Sequence, residues 1–246
     1  MRVAIFADIH ANREAFAACL AQARDRGAAP AILLGDYVGY GADPEWTVAT
    51  VMDLVDNGAI AVRGNHDDAL ANLRDTMNWE AQTAIEWTRG ELGFSQRQFL
   101  KELPFTVTDD DRLYVHSDAS RPSAWRYVVS ADDAARSIDA ASARITFCGH
   151  VHRPQLYTIG ATGRIAAITP TTDAIIPLSP NSRWLAVVGS VGQPRDGDPA
   201  ASYAMLDTDR RELTYCRAPY DVAAAAAKIR HKGLPAWLAD RLSVGR

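Results

Sequence analysis

The stretch Val3–His10 reads VAIFADIH: five apolar residues that run into an aspartate and, two positions on, a histidine. A short apolar run of this kind, cut off by polar residues, fits a strand buried on both faces. The pattern returns downstream. Ala31–Leu34 runs into Gly35-Asp36, and Ala59–Val62 runs into Gly64-Asn65-His66-Asp67. Helix signals fill the gaps. Asn12 can cap a helix to about Arg26, with Gly27 at its C-terminal side. Asp43-Pro44 opens a second helix to about Val55, and Asn57-Gly58 closes it. Strand, helix, strand, helix, strand at this spacing predicts right-handed βαβ units in a largely parallel sheet.

Outward from this core, a helical region is expected from Asn78 to Lys101, with Trp79, Trp87 and Phe94 forming a packed cap. Strands follow at Phe105–Thr108 and Leu113–His116. Ser130 and Asp133 form a capping box before a helix, and Ile145–Cys148 is the next strand. Short strands with Gly and Pro turns come next: Gln155–Ile159, Arg164–Ile168, Trp184–Gly189, Ala201–Asp207 and Glu212–Arg217. Asp221 caps a final alanine-rich helix. No repeat or linker marks a boundary, so residues 1–246 are expected to form one domain.

With 48% hydrophobic and 23% charged residues over 246 positions, the chain is globular, which excludes disordered and collagen-like classes. The net charge of −4, with no basic run interleaved with aromatics, argues against nucleic-acid tracks and anionic membrane surfaces. The three scattered cysteines include no CxxC pair, which fits reduced, buried thiols. No apolar run approaches the ~18 residues a membrane span needs, and the N-terminal run is too short for a signal core. A cytoplasmic protein is therefore expected.

The chemistry sits at strand ends. Besides Asp8, His10, Asp36, Asn65 and His66, His116 follows Leu113–Val115, and His150 and His152 follow Ile145–Cys148. Five of the six histidines in the chain occupy such positions. Open α/β sheets gather ligands beyond the carboxyl ends of their strands, so these segments are expected to share one crevice. Carboxylates, imidazoles and a neutral amide suit borderline-hard divalent metals. The donors outnumber what one tetrahedral ion requires. Seven with one shared carboxylate suit two ions ~3.5–4 Å apart, the spacing used for in-line attack on phosphorus. Two divalent ions, two carboxylates and a hydroxide leave one net positive charge, which favours an anionic ester.

The series DIH, GD, GNHD, H and GHVH, in this order from Val3 to His152, resembles the calcineurin-like metallophosphoesterase superfamily. The segment GSVGQPRDG, Gly189–Gly197, is similar to the compact bacterial and archaeal phosphoesterases of that superfamily. The resemblance implies a four-layer α/β/β/α sandwich of two mixed sheets with helices outside. It implies that Asp8, His10, Asp36 and His152 hold one metal and that Asp36, Asn65, His116 and His150 hold the other, with Asp36 bridging. His66 matches the family histidine that donates to the phosphate or the leaving oxygen, here the general acid. A hydroxide bridging the metals would be the nucleophile. One departure bears on substrate. Protein phosphatases carry GDxVDRG, whereas this chain has GDYVGYG at Gly35–Gly41, with Gly39 and Tyr40 in place of Asp and Arg. The phosphate-clamping Arg of that pattern is missing, which argues against a protein phosphatase.

The expected function is hydrolysis of phosphate mono- or diesters, with small nucleotides as favoured substrates and two divalent ions (Mn²⁺, Fe, Zn²⁺, Co²⁺ or Ni²⁺) as cofactors. The alternatives are a dinucleoside polyphosphate hydrolase and a non-catalytic binding protein that keeps the fold. Substrate-binding residues stay open. Arg195 is a phosphate contact or a surface cation, Tyr37 and Tyr40 line a nucleobase or pack, and Asn12 is a cap or a phosphate contact.

Overall fold

A computed structural model describes residues 1–72, 77–160 and 162–246. The first strand, β1 (Arg2–Phe6), is followed by α1 (Arg13–Asp25), β2 (Ala31–Leu33), α2 (Pro44–Asp56) and β3 (Ile60–Ala61). Helices α3 (Asn65–Ala71), α4 (Trp79–Glu91) and α5 (Phe94–Glu102) come next. Then come β4 (Thr106–Asp109), β5 (Arg112–Val115), α6 (Ala131–Asp139), β6 (Ile145–Cys148), β7 (Gln155–Ile159), β8 (Ile165–Ile168), β9 (Ile175–Pro177), β10 (Arg183–Val187), β11 (Ala201–Asp207) and β12 (Glu212–Ala218). Helices α7 (Val222–His231) and α8 (Ala236–Asp240) follow near the C-terminus.

The strands form two mixed sheets of six, ordered β3-β2-β1-β11-β12-β9 and β4-β5-β6-β10-β7-β8. Within the first, β1, β2 and β3 are parallel and the rest antiparallel. Within the second, β5, β6 and β10 are parallel. The two-residue period of each strand sorts its side chains between layers. Val3 and Ile5 face an inter-sheet core with Ile145, Phe147, Trp184 and Ala186. Their neighbours Ala4 and Phe6 pack instead with Phe16 and Cys19 of α1. Leu185 and Val187, on the other face of the second sheet, pack with Ala134 and Ile138 of α6. Three apolar layers thus separate helices, sheet, sheet and helix, giving the four-layer sandwich.

The expected cap residues act as such at three helices. Asn12 Oδ1 accepts from Ala15 N, Ser130 with Asp133 forms a capping box, and Asp221 Oδ1 accepts from Ala224 N. Asn12 also spends its amide on Gly192 O (2.9 Å), so it serves as a helix cap and a loop tie. Asp43 makes no cap bond and pairs with Lys228 instead.

Some details differ from the sequence expectation. The region Asn78–Lys101 is two helices, broken at Leu92-Gly93, where Gly93 N–H is taken by Gln96 Oε1. Trp79 and Phe94 are 68% and 77% exposed, so they are not part of a packed cap, whereas Trp87 packs beside α7. The helix α3 has little apolar periodicity; Asp67 starts it by accepting from Gly64 N. Strand β9 is a short edge partner of β12. Among the described residues no helix is long and apolar enough to cross a membrane.

Candidate metal centre

Each parallel strand delivers chemistry at its C-terminal end. Asp8 and His10 follow β1, Asp36 follows β2, and Asn65 and His66 follow β3. From the other sheet, His116 follows β5, His150 and His152 follow β6, and the loop holding Gln193 and Arg195 follows β10. Five of these ends were legible as motifs. The sixth, after β10, was legible as the family-like segment GSVGQPRDG, with the role of Arg195 left open.

The predicted residues fall into two overlapping clusters. One ligand atom from each of Asp8, His10, Asp36 and His152 lies within 4.8 Å of the others. Asp36, His116 and His150 form a second such set, so Asp36 is common to both. Asn65 joins the second, with Oδ1 3.1 Å from His116 Nε2.

Hydrogen bonds fix how the rings face. A carbonyl only accepts, so His10 Nδ1 donates to Val38 O (3.0 Å), His116 Nδ1 to Leu34 O (2.8 Å) and His152 Nδ1 to Gln193 O (2.7 Å). His150 is reversed: its Nε2 donates to Trp125 O (2.9 Å), which leaves Nδ1 facing inward. Such outer bonds are the usual means of setting the tautomer of a metal-binding imidazole. Burial drives the pKa of both His10 and His152 well below 6.5, so both rings are neutral at pH 7. Their Nε2 atoms nevertheless lie 3.2 Å apart. Two lone pairs at that distance repel unless a cation sits between them. In the second cluster burial opposes charge on His116, but Asp36 outweighs it and raises the pKa to about 9. That position also favours positive charge. Burial works against ionisation of Asp36, yet His116 and His66 outweigh it and hold its pKa well below the usual carboxylate range. Burial pushes Asp8 up to about 7, with His116 opposing. The donor set, its burial and its facing lone pairs fit divalent cations.

The backbone is strained where the donors lie. Asp8, His10, Asp36, His150 and His152 all have positive φ, between 50° and 68°. For residues other than glycine this costs roughly 1 kcal/mol or more each and persists only where the surroundings enforce it. Close approach enforces it here. A Cβ on Gly64 would stand 2.2 Å from Asp36 Oδ1, and one on Gly149 would stand 2.7 Å from Asp8 Oδ2. Asp36 Oδ1 also accepts from His66 N (2.8 Å), while Asp67 accepts from the backbone N–H groups of Asp36, Tyr37 and Gly64.

A cavity of about 510 Å³ opens over the clusters. Asp36, His66, His150 and His152 contribute to its floor, and Tyr40, Trp125, Tyr127 and Arg195 to its walls. His66 stands against the rings of Tyr40 (4.5 Å between centroids) and His10 (4.8 Å). Its buried Nδ1 has no hydrogen-bond partner among the described residues, and a Cβ on Gly39 would lie 2.3 Å from it. Glycine at 39 therefore leaves this histidine without the carboxylate that the GDxVDRG pattern carries there. Burial lowers its pKa to about 4, so the ring is neutral at pH 7. Tyr127 stacks on His150 with ring centroids 4.1 Å apart, and it is half exposed. Tyr37 is fully buried, with its hydroxyl on Leu33 O and Val62 O, so it packs; Tyr40 reaches the cavity.

Two six-stranded sheets in a four-layer sandwich, with Asp and His clusters beyond the parallel strand ends, define a metallophosphoesterase-type fold. The chain belongs to the calcineurin-like phosphoesterase superfamily, whose domain model matches residues 1–211. It is 32% identical over 252 residues to an uncharacterized protein of Methanocaldococcus jannaschii, covering 99% of this chain and 98% of that one. Among solved structures it is similar to a metallophosphoesterase from Sphaerobacter thermophilus, with a TM-score of 0.88, 36% identity and coverage of 100% and 99%. A hypothetical protein from Pyrococcus horikoshii shares the fold, with a TM-score of 0.80, 17% identity and coverage of 100% and 98%.

Proposed function

We propose that this protein hydrolyses phosphate mono- or diesters, small nucleotides among them, with two divalent ions held at the paired clusters. Asp8, His10, Asp36 and His152 hold one ion; Asp36, Asn65, His116 and His150 hold the other. The observation that carries the reading is the pair of neutral imidazoles, His10 and His152, facing each other through Nε2 at 3.2 Å beside the shared Asp36. When bound, the ions supply Lewis-acid activation of water and charge neutralisation at phosphorus.

The chain's own groups do the rest. Asp36 lowers the repulsion between the two cation sites by serving both. The carbonyls of Val38, Leu34, Gln193 and Trp125 hold the four imidazoles in the productive tautomer. His66, neutral at pH 7, donates its Nε2–H to the phosphoryl or leaving oxygen. Trp125 and Tyr127 offer aromatic surface to a nucleobase at the cavity wall.

The test is direct. Protein stripped of metal and reconstituted with Mn²⁺, Fe²⁺, Zn²⁺, Co²⁺ or Ni²⁺ is assayed on p-nitrophenyl phosphate, its bis ester, cyclic nucleotides and dinucleoside polyphosphates. Turnover that needs metal and saturates with substrate is expected. Metal-loaded protein that binds nucleotides without turnover would establish the binding-protein alternative.

A further inference from the structure

The loop after β10 brings a cation into the cavity that the ligand motifs do not account for. Among the described residues lining that cavity, Arg195 is the only Arg or Lys. Its backbone N–H donates to His152 O (3.1 Å), so its position is tied to a candidate ligand. Its Nε and Nη2 both donate to Gln193 Oε1, at 3.2 and 2.8 Å. The guanidinium lies 5.8 Å from the centroid of the Tyr40 ring. No carboxylate among the described residues forms a salt bridge with it, so it meets a neutral amide and an aromatic face instead.

Gln193 is itself immobilised. It is 1% exposed, its N–H donates to Ser190 Oγ (2.9 Å), and its carbonyl accepts from His152 Nδ1 (2.7 Å). Ser190 Oγ in turn donates to Asp8 O (2.8 Å). One loop therefore orients two candidate ligands and one arginine. Held by a neutral acceptor and a ring, the guanidinium meets no countercharge among the described residues and has N–H groups left to give. Planar forks of this kind match phosphate oxygens.

We propose that Arg195 is the substrate-phosphate clamp of this centre and that it selects dianionic terminal phosphoryl groups, that is, phosphate monoesters. It stands in for the Arg that is absent after Asp36, but arrives from the opposite sheet. The proposal rests on the phosphoesterase reading above. The selectivity follows from charge. A diester carries one negative charge shared by two free oxygens; a terminal phosphoryl group carries about two over three. An added fixed cation beside the metal sites favours the more highly charged group and finds an acceptor oxygen on it that esterification would remove. Gln193 is the positioning residue that aims the fork.

The experiment uses metal-reconstituted wild type, Arg195→Ala, Arg195→Lys and Gln193→Ala. Metal content and thermal melts are recorded for each. kcat and KM are measured on p-nitrophenyl phosphate and bis(p-nitrophenyl) phosphate, and inorganic phosphate binding is followed by calorimetry. Arg195→Ala is expected to weaken phosphate binding and monoester kcat/KM by about 10- to 100-fold, the range for a charged hydrogen bond. Diester kcat/KM is expected to fall several-fold less, with both metals retained. Arg195→Lys should lie between, because it restores charge without the fork. Gln193→Ala should raise the monoester KM with little change in kcat. Added guanidinium should recover part of the monoester rate of Arg195→Ala. Wild type that hydrolyses neither ester refutes the phosphoesterase reading itself. Wild type that is active while Arg195→Ala matches it or binds phosphate unchanged refutes the clamp alone, and equal loss on both esters refutes the selectivity. A wild type that prefers the diester also refutes the selectivity. If Arg195→Ala melts early or loses metal, Arg195→Lys decides: unchanged phosphate affinity and KM overturn the clamp.

Discussion

His10 and His152 meet Nε2 to Nε2 at 3.2 Å, although each ring has committed its Nδ1 proton to a backbone carbonyl. Folding has placed two lone pairs against each other in a buried site, and a cation removes the repulsion. Divalent ions are therefore expected to raise the melting temperature of stripped protein. At a free concentration 100 times Kd the stabilisation is about 2.7 kcal/mol per site. A differential scan with and without ions checks this; superimposable curves would count against a metal site.

Asp36 serves both clusters, so Asp36→Asn should cost more metal than any other single-ligand change. The carboxamide loses the charge that holds two like charges together. Metal affinity is expected to fall by more than about 100-fold, the upper range for residues that merely support a ligand. Metal analysis after dialysis decides: two retained ions would remove Asp36 from its shared role.

His116→Ala should empty one site and spare the other. His116 belongs only to the set with Asp36 and His150, whereas Asp8, His10 and His152 make up the rest of the other set. About one equivalent of metal per chain is expected after dialysis. Unchanged metal content and activity would exclude His116 as a ligand.

His66→Ala should keep both ions and lose turnover. The ring lies on the cavity floor against Tyr40 and outside both donor clusters. Loss of the hydrogen bond that the neutral ring gives to charge developing on oxygen is worth roughly 10²–10³-fold in kcat. The deficit should be largest on substrates with alkoxide leaving groups and smaller on p-nitrophenyl esters, whose leaving group is stable without a proton. Equal loss on both would show that His66 binds or orients phosphate without assisting departure.

Gly64→Ala should act on the site through the backbone. The added Cβ would meet Asp36 Oδ1 at 2.2 Å and Asp36 N at 2.3 Å. Both are held in a tight turn, so relief requires moving Asp36. A stability loss of about 1–3 kcal/mol, typical of overpacking, is expected together with reduced metal content. A melt and metal content equal to wild type would show that the turn can open without harm to the site.

The sequence by itself determined the parallel β1–β2–β3 unit and which Asp, Asn and His residues gather beyond the strand ends. Short apolar runs that end on Asp8, Asp36 and Asn65 report burial and strand ends, and those are local properties. It also showed that five histidines sit beyond strands. It did not separate α4 from α5, because a Gly inside a helical pattern reads as tolerated until Gln96 is seen to cap Gly93. Nor did it place Trp79 and Phe94, whose exposure depends on what the rest of the chain leaves uncovered. Only the tertiary structure decided which imidazole nitrogen faces inward, since the carbonyls of Val38, Gln193 and Trp125 come from distant segments. Arg195 is the sharpest case. Its segment, GSVGQPRDG, is similar to the compact phosphoesterases, yet it leaves Arg195 open between a phosphate contact and a surface cation. It faces the cavity because β10 runs parallel to β6, so its loop ends beside His152. Strand pairing between segments far apart in the chain sets that position, and no local pattern encodes it.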